Sequence, residues 1–101
     1  MLRWGIVITG LVAATGCGPI QATSLMMDAE LLIHTARAAD APKLALYDFT
    51  KAELYLHKAK EEEGYADHAI AIAYAQKAKE HAAKARDLAL KQMKSEERPT
   101  P

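Results

Sequence analysis

One cysteine, one phenylalanine and one tryptophan occur in the 101 residues, and the formal net charge is zero. The lone Cys17 excludes an internal disulfide and any multi-cysteine zinc site. Hydrophobic residues make up half the chain, but alanine supplies much of that fraction. The core must therefore be thin. A domain this small is marginal unless a partner, a membrane anchor or close helix pairing supports it. Without net charge there is no global basic footprint for nucleic acid, and none is expected as a partner.

Catalytic patterns are also missing. His34, His57, His68 and His81 are scattered, no two of them at the i,i+4 spacing of a helical metal site. Glu-x-x-His does not occur, and neither does a Gly-rich phosphate loop or a nucleophile-elbow motif. His57 and His68 flank a predicted turn with Glu61 nearby, the one place where a metal could be imagined. The expectation is a non-enzymatic protein with no cofactor and no metal.

What is present is an alanine ladder. Ala71, Ala75, Ala78, Ala82, Ala85 and Ala89 recur at steps of four and three, the a/d spacing of a heptad. That spacing puts six methyl groups on one stripe of one helix and lets a second helix approach closely. A second heptad, Ala45, Phe49, Ala52, Leu56 and Ala59, precedes it. Gly64-Tyr65 lies between the two. Folding there sets residues whose numbers sum to about 130 opposite each other. Ala59 then meets Ala71, Leu56 meets Ala75, Ala52 meets Ala78, Phe49 meets Ala82 and Ala45 meets Ala85. These ten residues form the predicted seam of an antiparallel hairpin, with an axis separation at the short end of the roughly 8–10 Å range.

Charge supports the pairing. Residues 21–63 hold eight acids and five bases, and residues 64–94 hold three acids and six bases. Glu80–Lys84 and Asp87–Lys91 have i,i+4 spacing, worth a few tenths of a kcal/mol each. The basic stripe of the last helix has an alternative use, binding an anionic polymer or lipid. Tyr47, Tyr55, Tyr65 and Tyr74 read as half-buried hairpin residues with hydroxyls in water, or alternatively as a groove.

The N-terminus has the layout of an export signal. Met1-Leu2-Arg3 is a short positive region, Trp4–Thr15 is apolar and too short to span a bilayer, and small residues follow. Residues 1–16 are read as the signal and 17–23 as a modified Cys17 with a tether. Helices are predicted over about 24–39, 41–63 and 67–94. Thr23 or Ser24 would cap the first, Asp40 the second with Pro42 in its first turn, and Asp67 the third. Gly64 would end the second helix. Glu61-Glu62-Glu63 is wrongly signed for a helix C-terminus. Residues 95–101 are a polar, Pro-bearing tail expected to be disordered. Leu25, Met26, Ala29, Leu32, Ile33 and Ala36 make the first helix amphipathic, a core face or an adaptable Met-bearing contact face.

Ala14-Thr15-Gly16-Cys17 resembles the lipobox of bacterial lipoproteins, Leu-(Ala/Ser)-(Gly/Ala)-Cys, with Ala14 in place of the usual Leu. That resemblance implies cleavage before Cys17 and its lipidation. Ordinary signal cleavage after Ala14-x-Gly16 is the alternative. Gly18 replaces the Asp that holds many lipoproteins at the inner membrane, which points to the outer membrane. Ala52-x3-Leu56-x2-Ala59, Gly64-Tyr65 and the ladder are similar to a family of bacterial envelope lipoproteins with an Ala-rich helical-hairpin domain of unknown function. Its members sometimes carry an OmpA-like domain. Over about residues 28–90 the resemblance implies an envelope role without naming an activity. The hairpin also looks like a half-matched tetratricopeptide repeat, but the spacing from Tyr65 to Ala69 is one residue too long and the last helix far too long.

The expectation is thus an all-α protein in three helices dominated by the long hairpin. It would be a lipoprotein anchored to the membrane and facing the periplasm, acting by contact with an envelope protein. A peptide-, peptidoglycan- or anionic-polymer-binding module is the alternative, and a homo-oligomer is open.

Overall fold

The computed structural model describes residues 17–97. The protein is all-α, with α1 Cys17–Ala38, α2 Ala41–Leu44, α3 Leu46–Gly64 and α4 His68–Glu97. No strand occurs among the described residues. Residues 1–16, read as the signal, lie outside them.

α3 and α4 pack along their length as the long antiparallel hairpin. Three cross-helix pairs report its register: Glu63 with His68, Tyr55 with Tyr74, and Asp48 with His81. Each lies within about one residue of the alignment predicted about Gly64–Tyr65.

α1 docks on the hairpin in the same chain. The Gly18 backbone lies against His68, where an added Cβ would sit 3.4 Å from the His68 Cβ. One helical stretch further on, Lys79 reaches Asp28 at 3.4 Å. The two pairs advance together, so α1 runs parallel to α4. Against α3 it runs antiparallel, since Glu30 pairs with Lys60 at 2.6 Å and Arg37 with Glu53 at 2.8 Å. α4 packs against both α1 and α3 and is the shared element.

Each long helix contributes buried alanines to the core: Ala22, Ala29 and Ala36 from α1, Ala45, Ala52 and Ala59 from the hairpin's first arm, and Ala71, Ala78 and Ala85 from α4. The larger core side chains are Ile33 of α1 and Phe49 and Leu56 of α3, with Met26 partly buried against them. Among the described residues, every one with no exposure at all is an alanine, and no large side chain is fully buried. Each methyl contributes only about 0.8 kcal/mol. Stability must come from many close helix–helix contacts, with Phe49, Leu56 and Ile33 filling the wider gaps.

Several boundaries differ from the sequence reading. Residues 17–23 are the opening turns of α1 rather than a tether. Pro19 sits in the first turn, where its missing N–H costs nothing. Ala22 is fully buried, and that contact carries the helix past the weak caps at Thr23 and Ser24. The predicted helix over 41–63 is broken at Ala45, which leaves the helical region at φ −143° and ψ 55°. The break lets Ala41 and Ala45 both reach the core. Asp40 precedes α2 but makes no side-chain cap bond, because it is left-handed at φ 66°. Asp67 does cap α4: its Oδ1 accepts the Ile70 N–H at 3.3 Å. α4 continues through Glu97, so Ser95, Glu96 and Glu97 are helical and only the last four residues of the predicted tail lie outside the described residues. Neither Glu80–Lys84 nor Asp87–Lys91 closes among the described residues; Asp87 accepts from Arg86 instead. The acidic and basic halves meet through Asp28–Lys79, but Glu30–Lys60 and Arg37–Glu53 join helices within the acidic half.

The turn into α4 does not use Gly64 as its left-handed residue. Gly64 remains helical, and Ala66 takes φ 61°. The Asp67 N–H donates to the Glu62 carbonyl and the Ala66 N–H to the Glu63 carbonyl, both at 2.9 Å, which is a Schellman closure. Alanine pays a steric cost there that glycine avoids. Ala66→Gly should therefore stabilise the protein by about 0.5–1 kcal/mol, read as a melting temperature higher by several degrees.

Candidate functional site

The faces left free by the seam carry the polar chemistry. On one flank of the hairpin, α3 presents Tyr47, Asp48, Lys51 and Tyr55, and α4 presents Tyr74, Lys77 and His81. On a helix these offsets of three, four and seven keep each set on one side, and the antiparallel register brings the sets together.

His81 and Asp48 are the centre of this group. The His81 Nδ1–H donates to the Asp48 Oδ1 at 2.8 Å. Asp48 is the one buried charged residue among the described residues, 7% exposed. It lies in the first turn of α3, where the helix dipole favours a carboxylate. The His81 ring stacks on Tyr55 at 5.6 Å between centroids and 19° between planes. Tyr47 meets it edge-on at 6.4 Å and 72°, and Tyr55 stacks in turn on Tyr74 at 5.9 Å. The Lys51 ammonium lies 5.7 Å from the Tyr47 ring and 5.8 Å from Tyr55, and Lys77 lies 5.7 Å from Tyr55.

The dyad is chemically a positioned imidazole with its tautomer set by a carboxylate. Nucleophilic catalysis would need a hydroxyl or thiol at the other ring nitrogen. No side-chain partner beyond Asp48 hydrogen-bonds the His81 ring among the described residues. What the group offers a ligand is flat aromatic faces and two ammonium groups, a surface suited to stacking and to anionic groups. Tyr47 is exposed, whereas Tyr55 and Tyr74 are half-buried.

All ten predicted seam residues are buried, together with Ala89, which continues the ladder opposite the buried Ala41. Cys17 is the first residue of α1. His57 and His68 do not come together: His57 pairs with Glu61 at 3.5 Å and His68 with Glu63 at 2.8 Å. No group of three metal-ligating side chains assembles among the described residues. Of the three wrongly signed glutamates, Glu63 is held by His68, and Glu61 lies near His57 and Lys58. The Asp48–His81 pair was missed in the sequence, although its numbers fit the seam register within one. Projecting that register onto the flanks would have found it.

No helix among the described residues is long and apolar enough to cross a membrane. No family model, curated protein or solved structure matches the chain.

Proposed function

We propose that the protein is a non-enzymatic lipoprotein of the bacterial cell envelope, held to the membrane through Cys17 and working by contact with an envelope protein. The carrying observation is that the only cysteine stands directly behind the apolar run Trp4–Thr15 and its small residues. Residues from Cys17 onward are helical, so the folded scaffold reaches the residue that would carry the anchor. Kinship with the lipoprotein family named above, an outer-membrane address and a periplasmic orientation belong to the same reading. The alanine seam is scaffold in this reading, and the exposed side chains of α1 and of the hairpin flank meet the partner. Each acyl chain contributes about 0.8 kcal/mol per buried methylene, so two or three chains hold the protein permanently.

Crosslinking in intact envelopes, followed by purification, tests it. The wild-type chain should fractionate with membranes and recover the same envelope protein repeatedly, while Cys17→Ser should leave the membrane fraction and lose that product. A Cys17→Ser chain that stays membrane-bound would sink the anchor, and repeated recovery of nothing would sink the partner.

The Tyr–Lys flank favours a second reading, a polymer-binding face. It predicts co-sedimentation with peptidoglycan that high salt abolishes, because ammonium contacts are screened over about 3 Å at 1 M ionic strength.

A further inference from the structure

The parallel docking of α1 on α4 has a geometric result. The N-terminus of α1, the N-terminus of α4 and the turn after α3 all lie at one end of the bundle. Gly18 against His68 fixes this. With that offset, Ile20 and Ile70 stand at the same height on two different helices. Both are exposed, Ile20 at 71% and Ile70 at 44%, and Tyr65 in the turn between α3 and α4 is 76% exposed. Pro19, Ala66 and Ala69 at this end are exposed as well. The first turns of α1 and α4 carry no acidic residue. The acids of the end are mostly engaged: Glu63 with His68, Glu61 with His57 and Lys58, and Asp67 with the Ile70 N–H.

We propose that this end of the bundle, with Ile20, Tyr65 and Ile70, seats in the headgroup layer of a phospholipid membrane. The proposal rests on the anchoring read above. The occupant is argued from the chain itself. Only Gly16 separates the apolar stretch Trp4–Thr15 from Cys17, and no flexible tether separates Cys17 from the folded part, since residues 17–38 are helical. Three helical residues from Cys17 to Ile20 rise only about 4.5 Å. A chain joined to lipid at Cys17 therefore brings Ile20 and Ile70 to the interface without bending. Tyrosine is the side chain that suits headgroup depth, with its ring in the apolar zone and its hydroxyl in water. The bundle then stands on the membrane, and its opposite end, with Leu88 and Leu90, projects away.

Fluorescence quenching tests this. The full chain carrying Trp4→Phe and Tyr65→Trp is expressed in a bacterium, purified and reconstituted into zwitterionic phospholipid vesicles brominated in the acyl chains. The indole at position 65 should emit at shorter wavelength than in detergent-free buffer and lose most of its intensity to bromine. The same background with Leu88→Trp places the indole about 27 Å from the level of Ile70, and there the emission should be untouched. Both sites are exposed, so neither substitution removes core packing, and circular dichroism checks the fold. Equal quenching at both positions, or none at either, overturns the seating. Intact mass of the same preparation reads acylation of Cys17 separately. An acylated chain with an unquenched indole at position 65 overturns the seating and leaves the anchor standing. An unacylated chain overturns the anchor, and quenching at position 65 then supports or removes the seating by itself.

Discussion

Phe49→Ala is expected to destabilise the protein by about 3–5 kcal/mol, with a melting temperature lower by roughly 12 °C or more for a domain of this size. The reason lies in the thin core. Phe49 is 3% exposed, and α4 contributes only alanines to the buried set. Ile33 and Leu56 are the only other large buried side chains of the core among the described residues. No neighbour is big enough to collapse into the space a lost ring would leave. The Arg37 guanidinium also lies 4.9 Å from the ring centroid while bonding Glu53, so the same residue helps tie α1 to α3. Total stability for about 80 ordered residues is on the order of 4–12 kcal/mol. The loss is a large share of that, and thermal unfolding followed by circular dichroism reads it directly. A shift of only a degree or two would mean that Phe49 is not a core residue.

Ala78→Leu should cost about 1–3 kcal/mol by the opposite mechanism, overpacking. Ala78, Ala29 and Ala52, one on each of the three long helices, have no exposure. Methyl groups at such positions allow the helices to approach at the short end of the usual interaxial range. A leucine on α4 would force α1 or α3 outward, and the neighbouring alanines would lose contact with it. The matched control is Ala73→Leu, an exposed position on the same helix, which should change stability by less than about 0.5 kcal/mol. Equal melting temperatures for the two variants would put Ala78 outside the seam and overturn the register.

Much of this was legible in residue spacing. Helix existence followed from the two heptads, and the hairpin followed because a short turn at Gly64–Tyr65 can only join antiparallel neighbours. The all-α class and the burial of the ladder needed no more than that. The start of α1 was not legible, since Gly18 and Pro19 look like a linker in isolation. Ala22, Ala29 and Ala36 do repeat every seven residues, and that period was available. Gly64, expected to end the second helix, stays within it, and hydrogen bonding to the Glu62 and Glu63 carbonyls places Ala66 at the left-handed position of the turn. The Asp48–His81 pair, with its tyrosines, depends on two flanks meeting across a seam, which a reading of single helices does not register.

The sequence by itself determined that this protein has a stripe of six alanines on one long helix and a second heptad in register with it. It also placed the only cysteine beside an apolar run at the N-terminus. Only the tertiary structure decided that the stripe serves two helices, with α1 laid parallel along it and α3 antiparallel. A row of methyl groups has no polarity and no directional bond, so it accepts either orientation and more than one partner. Orientation came from contacts the row does not contain: Gly18 against His68, Asp28 with Lys79, and Glu30 and Arg37 with α3. Those contacts bring Cys17 and the α3–α4 turn to the same end of the bundle.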